Sequence, residues 1–408
     1  KNLILDEEYA IKELEKKLLE SINLQLISDV PVGTFLSGGT DSSLISALIQ
    51  KINSKPIDTF SIGFNEANYN EANYAKEIAK FIGSNHHEHY VSDKEAMDVI
   101  PNLASMYCEP FADSSQIPTY LVSKLAKSKV TVALTGDAGD ELFGGYNRYA
   151  FGGKLWKNTH FLPFQLRRSL GACIESISPE KLEKFLMILP PLRNMNLLGD
   201  KAHKFARGMQ NSKSFDEFYY SLTMDDSFFK GTMKGNQTSS ILINRLSSIL
   251  ELYEPEDRMM AWDLLTFLTD DILCKVDRAS MSVSLETRVP MLDHRLVEFA
   301  LKLPLSMKIR NGESKWVLKQ LLYKYIPKDL LDRPKTGFSI PLESWLKGPL
   351  REWAEDLFEE RKLKDHNFID ANIIKLGWEE HLSGKKDWSK SLWNVLMFLS
   401  WQEGNKKL

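Results

Sequence analysis

The 408-residue chain carries a net charge of −3, with 43% hydrophobic and 26% charged residues, the profile of a soluble globular protein. That balance gives no electrostatic basis for binding nucleic acid or an anionic membrane surface, and no apolar run approaches the ~20 residues that span a bilayer. Length implies two or three domains at roughly 150 residues each. Residues 1–20 read as a charged amphipathic helix, not a signal peptide. The three cysteines, Cys108, Cys173 and Cys274, are widely separated. They fit reduced thiols of a cytoplasmic protein and argue against a CxxC metal or sulfur-transfer site. Lys1, not Met, heads the chain, so a fragment of a longer protein is expected.

In chain order, residues 7–27 form a helix with Ile11, Leu14, Leu18, Ile22 and Leu26 on one face. Residues 31–36 are a strand, which turns at Gly38 and Gly39 into a helix carrying Leu44, Ile45, Ala47, Leu48 and Ile52. A strand at 57–64, a helix at 69–82, a strand at 87–91, helices at 97–106 and 117–126, and a strand at 130–135 follow. Strands alternating with helices imply parallel βαβ units, so the fold class is α/β, with a parallel sheet flanked by helices. From about Trp156 the strand signals fade and the second half reads as mainly helical. The expected division is an α/β core at 1–155 and a helical region at 156–408 that completes the site.

Open parallel sheets bind ligands beyond the carboxyl ends of their strands. Three strand ends carry suspect loops: SGGTDSS (residues 37–43), SIGF (61–64) and TGDAGDE (135–141). The first opens a helix, so its free N–H groups and the hydroxyls of Ser37, Ser42 and Ser43 suit an anion. Asp41 is odd there unless a cation intervenes, and a hard divalent ion takes carboxylate and phosphate oxygens together. Hence the loop suggests a magnesium-bound polyphosphate, with Asp140 meeting Asp41 across the strand ends to complete the metal site. The competing reading is that these aspartates cap helices. The string lacks the Gly-Lys-Ser/Thr of a Walker A loop. His86, His87 and His89 read as surface histidines on a strand edge, since no fourth ligand at zinc spacing accompanies them. Residues 270–293 read as an amphipathic helix with an ion-pair network of Asp277, Arg278, Glu286, Arg288 and Asp293.

SGGTDSS resembles the SGGxDS loop of the N-type ATP pyrophosphatases, and SDVPVGTFLSGGTDSS is similar to the synthetase domain of glutamine-dependent asparagine synthetases. The resemblance extends to GDAGDELFGGY at 136–146, VDRASMSVSLETRVPMLD at 276–293 and RPKTGF at 333–338. It implies an adenine-nucleotide α-hydrolase-like, Rossmann-like fold and an ATP- and Mg2+-dependent amidation of aspartate through β-aspartyl-AMP, releasing AMP and pyrophosphate. On that resemblance Leu36 and Ile62 neighbour the base, Ser37, Gly38, Gly39, Asp41, Ser42 and Ser43 hold the pyrophosphate, and Thr135 and Gly136 line the nucleotide. Asp41 and Asp140 hold the metal. Lys335, with Arg333 as a weaker candidate, neutralises the phosphates. Asp137 stands where the family has glutamate, one methylene longer, and is the expected proton acceptor. Asp277, Arg278 and Arg288 order the wall. The family's paired threonines for the acceptor are absent, so Asp113 and Ser114, with Ser115, are the expected substitutes. Glutamine-using members have an N-terminal glutaminase domain with a leading cysteine. Here the first cysteine is Cys108, so the expected nitrogen source is free ammonia or a glutaminase in the parent protein or in trans, and no glutaminase activity is expected of these residues. The expected partners are ATP, aspartate and ammonia, plus a second copy in a homodimer. Rival readings are a ligase for another carboxylate (β-lactam synthetase-like or sugar-modifying), a tRNA-thiolating pyrophosphatase, and a non-catalytic nucleotide-binding module.

Overall fold

The computed structural model describes residues 3–64, 72–187, 198–223, 254–331, 340–365 and 369–405. Five parallel strands form one sheet: β1 (Val32–Phe35), β2 (Asp58–Phe64), β3 (Asn85–Val91), β4 (Val132–Leu134) and β5 (Glu286–Arg288), in the order β3-β2-β1-β4-β5. The α/β parallel-sheet expectation holds, and the remainder is helical. In register, Gly33 faces Asp58 of β2, and Thr34 lies between Thr59 of β2 and Leu134 of β4. Strand order reverses direction at β1, which puts a ligand crevice beyond the carboxyl ends of β1 and β4.

The helices follow from the apolar stripes. α1 (Glu7–Gln25) starts at an N-cap, Asp6, whose side chain accepts from the Tyr9 N–H at 2.9 Å. It buries Ala10, Leu14, Leu18 and Ile22. α2 (Thr40–Ile52) is buried on nearly every face through Leu44, Ile45, Leu48 and Ile49, as expected for a helix packed under a sheet. Both feed one core with Val132, Leu134, Met291, Phe299 and Leu318. Burying a leucine or isoleucine of this kind contributes about 1.5–3 kcal/mol.

The stretch 270–293 departs from the helix its periodicity predicts. It is a π-helical turn (Phe267–Leu273), α6 (Cys274–Met281), then β5 and a 3-10 turn (Pro290–Leu292). Ser284 takes a left-handed φ of 59°, which ends the helix and redirects the chain alongside β4. Three residues are too few for a period-2 signal, so β5 was indistinguishable from a helix face.

The described chain divides into two compact units. Residues 1–146, 263–365 and 374–408 form the first, which holds the sheet. Residues 147–262 and 366–373 form the second, built on helices Asn147–Thr159, Phe164–Glu175, Leu198–Asn211 and Phe215–Thr223 around Trp156, Phe218, Tyr219 and Trp262.

Candidate active site

A cavity of about 530 Å³ opens beyond the carboxyl ends of β1 and β4. Its walls include Leu36 to Ser42, Ser61, Ile62, Ser115, Thr119, Thr135 to Glu141, Tyr146, Lys275 and Lys315. The first loop leaves β1 and closes on itself before α2. The Ser37 N–H donates to Ser42 Oγ at 3.2 Å, the two hydroxyls lie 3.0 Å apart, and the Gly39 N–H donates to Ser37 Oγ at 3.3 Å. Gly39 is the N-cap of α2 and contributes no side-chain cap, so the helix presents its first N–H groups to the cavity. Ser43 lies deeper: it is fully buried and its backbone N–H bonds the Gly39 carbonyl at 3.0 Å.

The second loop leaves β4 and packs directly against the first. A Cβ on Gly136 would stand 2.7 Å from the Ser42 nitrogen, and one on Gly139 would stand 2.5 Å from Asp41 Cγ. Only glycine permits such an approach. Between them Ala138 adopts φ 70° as the N-cap of α5 (Gly139–Phe143), a left-handed conformation that costs about 1–2 kcal/mol for a residue with a Cβ. Strain of this sort persists where surrounding structure imposes it, often at functional sites.

The two aspartates converge. Lys315 Nζ lies 2.7 Å from Asp140 Oδ1 and forms an ion pair with Asp41 Oδ2 as well. Lys315 is buried, takes φ 55° and caps α8 (Trp316–Leu322); here α7 is His294–Lys302. Burial alone would lower the ammonium's pKa, but the two carboxylates outweigh it and raise the value, so Lys315 stays charged. Two carboxylates focused on one cation form a donor set that also suits a hard divalent ion. Among the described residues no group of three or more histidine, cysteine or acidic side chains gathers as a ready-made metal site.

Asp137 is half-buried beside this cluster, where Thr135 Oγ1 donates to its Oδ2 at 2.7 Å. Burial raises its pKa; the Thr135 hydrogen bond and the Lys275 charge oppose that. Glu141 is pushed up to about 7, chiefly by burial, and accepts from Tyr146 Oη at 2.6 Å.

The asparagine synthase family model matches residues 13–403. The chain belongs to the asparagine synthase family. It is 32% identical over 400 residues to an asparagine synthetase [glutamine-hydrolyzing] 1 of Bacillus subtilis (strain 168), covering 98% of this chain and 60% of the relative. It is 26% identical over 370 residues to asparagine synthetase [glutamine-hydrolyzing] 3 of the same organism, covering 87% of this chain and 52% of that relative. At 22% identity it also matches amidase chry2 of Gibberella zeae, covering 88% of this chain and 56% of the relative. The chain therefore spans about half to three-fifths of these relatives' length.

Against that family frame, the structure brings Leu36, Ser37, Gly38, Gly39, Asp41, Ser42, Ile62, Thr135, Gly136, Asp137 and Asp140 to one cavity. Asp113 and Ser114 sit elsewhere: Ser115 and Thr119 form the wall at that point. Asp113 is turned onto Lys275 and Ser115. Lys335 and Arg333 lie outside the described residues. His86 bonds Thr59 and Ser61 across β2, His87 pairs with Asp58, and His89 with Glu95, on the edge strand β3. Sequence reasoning missed Lys315, Lys275 and the Glu141–Tyr146 pair. Lys315 opens an amphipathic helix, where a lysine reads as solvated. Only its place between Ser314 and the apolar run, at a helix start, could have raised it.

Proposed function

We propose that this chain is the synthetase portion of an asparagine synthetase, an AMP-forming carbon–nitrogen ligase that converts aspartate to asparagine. The observation that carries the reading is the meeting of Asp41 and Asp140, 99 positions apart in sequence, on one buried cation beyond the carboxyl ends of β1 and β4. In this reading Leu36 and Ile62 border the adenine, and the loop from Ser37 to Ser43 with the start of α2 receives the pyrophosphate. Thr135 and Gly136 bound the nucleotide on the β4 side. Asp41 and Asp140 would hold magnesium, which when bound offsets the negative charge of the departing pyrophosphate. Lys315, already between the two carboxylates, adds a fixed positive charge on the same side. Lys335 is proposed to act on that charge as well.

The side-chain carboxylate of aspartate attacks the α-phosphorus of ATP and displaces pyrophosphate, giving β-aspartyl-AMP. Ammonia then attacks the acyl carbon, AMP leaves with the former carboxylate oxygen, and one proton must be taken from the ammonia nitrogen. Asp137 is the proposed acceptor: burial keeps its pKa above that of a free carboxylate, which favours proton uptake. The α/β region at 1–155 is the proposed ATP-binding core, and the helical region at 156–408 the part that completes the site. Ammonia is supplied free or by a glutaminase of the parent protein or a separate chain.

The experiment is product analysis with ATP, ammonium and a panel of amino acids. The reading predicts AMP and pyrophosphate with aspartate, and loss of both by at least a hundredfold in Asp41→Asn and in Asp140→Asn. Unchanged turnover in either variant would remove that residue from the site.

A further inference from the structure

Two buried lysines line the cavity, and the reading above uses only Lys315. Lys275, on α6, donates to Asp113 Oδ2 at 2.6 Å. Among the described residues that is the one hydrogen bond its ammonium makes. An ammonium carries three N–H donors, so two remain on a side chain that is 9% exposed, in a residue that lines the cavity. Buried donors left without acceptors are costly, and a ligand oxygen would meet them.

The surroundings of Lys275 favour an anion. Asp113 is fixed from behind: its Oδ1 accepts from the Ser115 N–H at 2.9 Å, and its Oδ2 from Ser115 Oγ at 2.7 Å. The carboxyl of Asp271, on the π-helical turn before α6, neighbours both Asp113 and Lys275. Its Oδ1 is buried with no hydrogen-bond partner among the described residues. Burial, then the Asp113 charge, pushes Asp271 up to about 7. The raised pKa of Asp271 reduces the negative charge around the Lys275 ammonium, which also feels Asp113 and Asp137. An incoming anion meets the two remaining donors of Lys275.

Position distinguishes the ligand. Lys315 and the Ser37–Ser43 loop serve the phosphate end. Lys275 stands on the side of Ser115 and Thr119 of α4 (Gln116–Lys127; α3 is Ala72–Ile82) and acts electrostatically on Asp137, the group assigned to the amination step. We propose that Lys275 binds the carboxylate of the acceptor amino acid that is not activated, and so selects a dicarboxylic amino acid. This rests on the ligase reading.

The test compares the chain with Lys275→Met and with Lys275→Met combined with Asp113→Asn, which leaves no stranded carboxylate if the single variant folds poorly. Aspartate affinity is measured by calorimetry beside a non-hydrolysable ATP analogue, and KM for aspartate and for ATP by pyrophosphate release. The expected result is a rise of at least tenfold in aspartate Kd and KM with ATP KM within twofold, partly reversed in Lys275→Arg. Unchanged aspartate affinity in the folded double variant overturns the assignment, as does a rise confined to ATP KM, which would give Lys275 to the α-phosphate instead. If the unaltered chain releases no pyrophosphate with any acid, the ligase reading fails and takes this inference with it. Activity in that chain with unshifted variants sinks the lysine alone.

Discussion

Asp41, Asp140 and Lys315 form the smallest unit on which the account can be tested. Replacing Lys315 by Met removes a buried cation from between two half-buried carboxylates. Breaking a buried pair this way typically costs about 3–5 kcal/mol, so Lys315→Met should lower the melting temperature sharply and added magnesium should restore part of it. A variant as stable as the parent would show that the lysine does not balance the pair. Asp271 gives a second residue-level prediction. Its pKa in the unfolded chain is near the ordinary 3.8, and burial, then the Asp113 charge, raises it to about 7 in the native state against the opposing Lys275 charge. Between those values the native state holds a proton that the unfolded chain releases, so stability falls as pH rises from about 4 to 7. Asp271→Asn should flatten that fall, read as urea midpoints at pH 5 and 8. The aspartates were legible in the sequence because each follows a glycine turn at the end of a strand, a context that restricts what a carboxylate can do. The two lysines were not, because a lysine near apolar residues at helical spacing looks solvated until the fold closes over it.

Among the elements, α2 and the α5 loop were readable because their strand–glycine–helix grammar is local. β5 was not: its three residues earn their place only by pairing with β4, a contact between residues more than 150 positions apart. Arg288 secures that strand. Its guanidinium donates to the carbonyls of Gln25 and Ile27 at the end of α1, at 2.6 and 2.9 Å, and to Glu286 at 2.6 Å. Arg288→Ala should therefore cost about 1.5–3 kcal/mol in chemical denaturation while leaving KM for ATP within twofold, since Arg288 does not line the cavity. A large KM change without destabilisation would reverse that assignment. Gly139→Ala probes the fit between the two loops. The added Cβ meets the Asp41 carboxyl, so pyrophosphate release should fall at least tenfold. Retained activity would mean the loops part at little cost.

Over the whole molecule, the α/β class and the helical remainder were legible from alternating strand and helix periods, and the family resemblance from motifs at 28–43, 136–146, 276–293 and 333–338, within the 13–403 that the family model matches. The composition of the sheet-bearing unit was less so. It takes in residues 1–146, 263–365 and 374–408, and a chain that leaves a unit and returns gives no composition break to mark it. The cavity is built accordingly: its walls come from the early strand-end loops and from α6 and the start of α8 much later in the chain. The central claim is that this cavity joins an acid to AMP before ammonia arrives. The most direct measurement supplies aspartate labelled with 18O in its side-chain carboxylate, together with ATP and ammonium, and reads the phosphorus products by mass spectrometry. The account predicts one 18O in AMP and none in pyrophosphate. Unlabelled AMP, or ADP and labelled inorganic phosphate in its place, would contradict it.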